Sequence, residues 1–82
     1  MSPSVPGYPS LRARRLRTAL ERELGYVVVR QHGSHKQMRA PELQPITFAF
    51  ADGDAIGAVM VRRILLSTGI SEAKAREVAG RA

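Results

Sequence analysis

Only two histidines, His32 and His35, occur in a chain of 82 residues that contains no cysteine. A thiolate nucleophile, a zinc knuckle and a disulfide framework are therefore excluded. Serine, threonine and tyrosine are present, but none has a sequence setting that marks an activated nucleophile. Asp52 and Asp54 form an Asp-Gly-Asp turn, which reads as a helix cap, and two histidines with scattered acids do not make a ligand set. No metal and no cofactor are expected. His35 is the residue with chemistry to offer. It follows Gly33-Ser34 at the start of a strand, close to Lys36 and Arg39. An imidazole, with an ordinary pKa of about 6.5, exchanges a proton near neutral pH. Cutting RNA without a metal needs a base for the ribose 2′-OH, attack of that oxygen on the adjacent phosphorus, and cations for the charge that develops. Lys36 and Arg39 are in the neighbourhood to supply the cations, and Gly33 would let a phosphate approach the backbone closely. Taken alone, a histidine in a hairpin is more often a plain surface residue. His32 lies in the turn with no organised surroundings and is left outside the site.

The elements that must position His35 follow from periodicity. Ser10 reads as the N-cap of a helix from Leu11 to Leu24, with Ala13, Leu16, Leu20 and Leu24 on one face and Arg12, Arg15 and Arg22 on a flank. Gly25 ends it. Tyr26–Arg30 is β-branched and aromatic, a strand. Gln31–Ser34 turns the chain, with Gly33 as the flexible point. His35–Ala40 is a second strand whose alternation sets His35, Gln37 and Arg39 on one face and Lys36, Met38 and Ala40 on the other. After the proline-bounded loop Pro41–Pro45 comes a third strand, Ile46–Phe50, with Ile46, Phe48 and Phe50 toward the core. Asp54 is expected to cap a helix running to about Thr68, buried through Ile56, Val59, Met60 and Ile64 and closed by Gly69. Ser71 caps a short last helix, Glu72 to about Ala79. Short loops favour an antiparallel meander, with one sheet face under both long helices: a two-layer α+β domain. Residues 1–9, rich in proline, glycine and serine, read as a flexible leader, and 10–82 as one domain. They lack the pattern of a signal peptide, and no apolar run is long enough to span a membrane.

Thirteen basic residues face seven acidic ones, a formal charge of +6. The excess is confined to residues 1–41, which hold eight basic and two acidic residues; residues 42–82 hold five of each. Eleven of the thirteen are arginine, the side chain that forks onto phosphate. A polyanion is the natural partner, whether RNA, DNA or an acidic protein, although a basic balance also serves plain solubility.

The run Gly25-Tyr26-Val27-Val28-Val29-Arg30-Gln31-His32-Gly33-Ser34-His35-Lys36 resembles the signature of HicA-type messenger-RNA interferase toxins. In these a helix ends in glycine and an aromatic residue, and a strand leads into Arg-Gln-x-Gly-Ser-His. Arg62-Arg63-Ile64-Leu65-Leu66-Ser67-Thr68-Gly69-Ile70-Ser71 is similar to the family's closing helix. The resemblance covers roughly residues 11–80. It implies a fold like the double-stranded-RNA-binding domain, with a helix, a three-stranded antiparallel sheet, a helix and a short C-terminal helix. It implies metal-independent, ribosome-independent cleavage of mRNA in the cytoplasm, with His35 as the catalytic acid/base and Gly33 keeping the active-site backbone open. It also implies a HicB-type antitoxin that covers and silences this surface, with no role for a membrane. The expected RNA-binding set is Arg12, Arg15, Arg30, Gly33, Ser34, Lys36 and Arg39. The chain departs from the family in one respect. Relatives often carry Pro-x-His after the third strand, where this sequence has Ala49 and Ala51. A non-catalytic RNA-binding module on the same scaffold is therefore the alternative, and a subunit that docks an acidic protein a third reading.

Overall fold

The computed structural model describes residues 5–82. Its elements, in chain order, are β1 (Leu11–Arg12), α1 (Ala13–Leu24), β2 (Val27–His32), β3 (His35–Arg39), β4 (Ile46–Ala49), β5 (Ala55–Ile56), α2 (Ala58–Ser67) and α3 (Glu72–Arg81). Strands β2, β3 and β4 form the expected antiparallel meander, and Met38 and Phe48 on one of its faces are fully buried against the three helices. Leu16 and Leu20 of α1, Val61 and Leu65 of α2 and Val78 of α3 complete that core. The helices thus cover one side of the sheet and leave the other open. This is the α+β, double-stranded-RNA-binding-domain-like arrangement that the sequence predicts. Among the described residues no helix is long and apolar enough to cross a membrane.

Local signals hold where they are self-contained. Gly25 closes α1 at φ 78°, a left-handed angle that side chains with a Cβ disfavour. Ser71 caps α3, its hydroxyl accepting from the Lys74 N–H at 3.1 Å. The start of α1 differs from expectation. Ser10 caps nothing; Leu11 and Arg12 are extended and pair with Ile56 and Ala55 of β5. The first free amides of the helix find partners across the chain, Ala13 N–H donating to the Asp54 carbonyl at 2.8 Å and Arg14 N–H to that of Asp52 at 3.1 Å. A backbone turn therefore replaces the side-chain cap.

The same ladder shifts α2. Asp54 does not cap it; its carboxylate accepts from the Ala51 N–H at 2.9 Å and closes the turn. Residues 55–56 are spent in β5, so the helix begins at Ala58 and buries Ala58, Val61 and Leu65. Ile56 is buried in the strand instead, Met60 and Ile64 only flank the core, and Val59 is exposed.

The Pro-rich N-terminal stretch is folded as far as it is described. Val5 and Tyr8 bridge, Gly7 turns the chain at φ 86°, and Tyr8 is buried in the core at 5% exposure. An aromatic ring needs such a site, so the folded unit takes in residues ahead of Ser10; residues 1–4 of the expected leader lie outside the described residues. The Tyr8 hydroxyl faces the Glu72 carboxylate without a well-formed hydrogen bond. Burial, reinforced by that carboxylate, pushes its phenol above the ordinary value near 10. Burial does the same to Tyr26, whose hydroxyl donates to the Gln44 carbonyl at 2.6 Å.

These raised values set an alkaline limit. The folded state keeps phenolic protons that the unfolded chain has released, so this contribution is complete below the ordinary value and is lost as pH rises through the folded values. The urea midpoint should therefore fall above about pH 10. Tyr8→Phe should hold stability near neutral pH and flatten that fall, because it removes an unpaired buried hydroxyl. Tyr8→Ala should cost about 3 kcal/mol by the cavity it leaves.

Candidate nucleic-acid interface

Two backbone features decide what the open sheet face presents. The first is the turn. Gly33 and Ser34 alone join β2 to β3, and Gly33 has φ 61° while Ser34 does not take a positive φ. This is the type II′ pattern, whose twist matches that of the strands and which calls for glycine first. A Cβ on Gly33 would meet nothing within 4 Å, so the backbone angle, and not crowding, requires glycine. The Gln31 side-chain amide donates to the Gly33 carbonyl at 3.1 Å and ties the turn to its strand. The second feature is a bulge. Val28 pairs with Met38 but Arg30 pairs with Gln37, so Val29 is the extra residue. Strict alternation would put Val28, Arg30 and His32 on one face. The bulge turns Val28 toward Met38 and leaves Arg30 and His32 on the open side.

The register then lays out that face. His32 stands opposite His35, and His35 opposite Ala49. Beside this row Arg30 faces Gln37, and Gln37 faces Thr47; next, Val27 faces Arg39. All of these residues are exposed, Val27 at 58%. His35, Arg30 and Arg39 thus share one exposed face, with His35 and Arg39 at the two ends of the central strand.

The other expected residues are placed elsewhere. Lys36 leaves β3 on the face opposite His35 and is only 9% exposed. It lines a shallow hollow behind the hairpin with Arg17, Gln31, Gly33, Ser34 and Asp52, where Arg17 already pairs with Asp52 at 3.0 Å. Arg12 donates to the Gly53 carbonyl at 2.9 Å. Arg15 lies on the helical layer, in a hollow between α1 and α3 shared with Arg14, Arg22 and Arg81. The basic residues of the first half therefore form no single surface: Arg30 and Arg39 lie on the open sheet face, Arg14, Arg15 and Arg22 on α1, and Arg17 and Lys36 behind the hairpin.

The sequence reading places His32 in the turn. The structure puts it at the end of β2, not in the turn. The spacing His-Gly-Ser-His holds the signal, since a two-residue turn makes its flanking residues a cross-strand pair.

The open face has a one-sided charge. Strands β2, β3 and β4 contain no aspartate or glutamate. Ion pairs gather elsewhere: Arg62 and Arg76 share Glu72, Arg81 joins Glu23 and Glu77, and Arg17 joins Glu21 and Asp52. Among the described residues neither Arg30 nor Arg39 has a carboxylate partner, and no group of three or more His, Cys, Asp or Glu is arranged to hold a metal ion. Two guanidinium groups without carboxylate partners and an exposed imidazole on one face form a surface that can hold a phosphodiester and exchange a proton with a ribose hydroxyl.

The profile of a family described as HicA toxin of bacterial toxin-antitoxin matches residues 13–70, from the first residue of α1 to the loop before α3. No curated protein and no solved structure matches the chain.

Proposed function

Because the chain belongs to the HicA toxin family of bacterial toxin-antitoxin systems, we propose that it is a metal-independent endoribonuclease that cuts messenger RNA through His35. A HicB-type antitoxin would silence it in the cytoplasm by covering the open sheet face. One observation carries the reading: an exposed histidine on the central strand shares a carboxylate-free face with Arg30 and Arg39.

The chemistry follows from that arrangement. The imidazole takes the proton of a ribose 2′-OH, the oxygen attacks the adjacent phosphorus, and the bond to the 5′ oxygen breaks, with a proton delivered to that oxygen by a second donor, a side chain or water. The guanidinium groups of Arg30 and Arg39 steady the extra negative charge on the phosphoryl oxygens as it develops. The products are a 2′,3′-cyclic phosphate and a 5′-OH. Gly33 and Ser34 hold the hairpin that sets the height of His35. Arg12 and Arg15, on the α1 side, and Lys36, behind the hairpin, would meet phosphates of a longer RNA away from the cut.

Incubating the purified chain with a single-stranded RNA tests the reading. Cleavage is expected, and EDTA is expected to leave its rate unchanged, since side chains take the 2′-OH proton and steady the developing charge. Loss of activity in EDTA would contradict the mechanism. The logarithm of kcat/KM should fall with the logarithm of salt, at a slope of about −0.7 for each phosphate held. The alternative of a non-catalytic RNA-binding module draws on Ala51 standing where relatives often carry a second histidine. It predicts retained RNA binding with no cut product from the same preparation.

A further inference from the structure

His32 is a titratable group to which the His35 chemistry gives no part. Transesterification at phosphorus moves two protons. One leaves the 2′-OH as the new O–P bond forms, and one must reach the 5′ oxygen as the old bond breaks. A single imidazole in a single protonation state performs only one of these transfers. His32 and His35 are the pair that closes the β2–β3 hairpin, so their Cβ atoms stand roughly 5 Å apart and their side chains rise from the same face. Both are exposed. On the far side of His35 the row ends at Ala49, and β4 has no titratable side chain. Among the described residues, the charged or titratable groups on this face are Arg30 and His32 on β2 and His35 and Arg39 on β3.

Resting on the nuclease reading, we infer that His32 is the second proton-transfer residue of the reaction. One imidazole of the pair, neutral, takes the 2′-OH proton; the other, protonated, gives its proton to the departing 5′ oxygen. The O2′–P bond forms, the P–O5′ bond breaks, and the pair finishes with its proton moved from one ring to the other. Exchange with water resets it, and no co-reactant enters the balance. The two-residue turn makes His32 and His35 a direct cross-strand pair and so sets both on the open side. A histidine in this place also supplies a second imidazole in a chain that has alanine at positions 49 and 51.

The test is the pH dependence of kcat/KM for the full chain, for His32→Ala and for His32→Gln, on one RNA oligonucleotide. The same oligonucleotide with sulfur replacing the bridging 5′ oxygen at the cut site serves as a second substrate, because a thiolate leaves without a proton. The unaltered chain should give a bell-shaped profile, one limb from each histidine. Both His32 variants should fall by about 10²–10⁴-fold and lose one limb, with unchanged thermal melting. His32→Gln guards against a loss that comes only from a disturbed hairpin. The sulfur substrate should restore activity to only one of His32→Ala and His35→Ala, the one lacking the acid. A His32→Ala rate close to that of the unaltered chain, with both limbs present, would overturn the inference and leave the nuclease reading standing. Rescue of both variants, or of neither, would overturn the division of roles. Absence of cleavage by the unaltered chain would overturn the reading itself and the inference with it.

Discussion

His35→Ala is expected to lower RNA cleavage by about 10²–10⁴-fold, the usual contribution of a positioned general acid or base. Its melting temperature should hardly move. The side chain is exposed and the residue is held by strand pairing on both sides, to His32 and to Ala49. Removing an exposed ring leaves no cavity, so stability should change by no more than about 0.5 kcal/mol. RNA affinity should also survive, because Arg30 and Arg39 remain. In cells, growth arrest caused by the unaltered chain should vanish with the variant. Arrest that persists would favour a docking role that needs no chemistry. Arrest that disappears together with the fold, as judged by the melting curve, would count against the placement of His35 at the surface.

Joint removal of Arg30 and Arg39 has the next largest expected effect. Neither has a carboxylate to satisfy among the described residues, so each is available to a phosphate. A hydrogen bond to a charged group contributes about 1.5–3 kcal/mol. Near the lower end, each guanidinium is then worth about tenfold in affinity, and the double change to alanine should weaken binding by about 100-fold. Its signature is the salt dependence, which should flatten by about 0.7 for each phosphate no longer held. Arginine-to-lysine changes should recover only part of the affinity, since an ammonium cannot fork across two phosphate oxygens. Arg15→Ala supplies the contrast. Arg15 sits on the helical layer with Arg14 and Arg22, so a short oligonucleotide should be cut at an unchanged rate and only a long RNA should bind less tightly. Equal effects of the two sets on a short substrate would mean that the sheet face is not where the RNA lies.

The parts of the fold readable from the sequence are those whose signal is local. The α1 face repeats every three to four residues, Gly25 and Gly69 supply left-handed angles at helix ends, and Ser71 caps α3 three residues before the amide that it binds. The pairing of β1 with β5 has no such signal. Two-residue strands show no period, and the ladder joins residues more than forty positions apart. That one ladder moves the start of both α1 and α2. Tyr8 is hidden by its company of prolines and glycine, which look like a tether although the ring is seated in the core.

The site shows the same division. His35, Gln37 and Arg39 fall on one face by simple alternation, and the structure agrees. Lys36 looks like a helper of His35 because it is adjacent in sequence, yet adjacency in a strand means the opposite face. Arg30 shares the face of His35 by alternation from His32; it is Val28 that the bulge at Val29, which no residue type announces, turns to the other side. His32 looks idle when the turn is taken as four residues long. Shortened to Gly33-Ser34, the same sequence makes His32 the nearest neighbour of His35 across the hairpin.

The termini of the cut RNA test the central claim most directly, because they record which oxygen attacked the phosphorus. Attack by the neighbouring ribose hydroxyl leaves a 2′,3′-cyclic phosphate on one fragment and a 5′-hydroxyl on the other, and a single 2′-deoxy sugar at the cut position should block the reaction. Fragments ending in a 3′-hydroxyl and a 5′-phosphate, or undiminished cutting of the deoxy-substituted strand, would show that water was the nucleophile and that the histidine face does not work by activating the ribose.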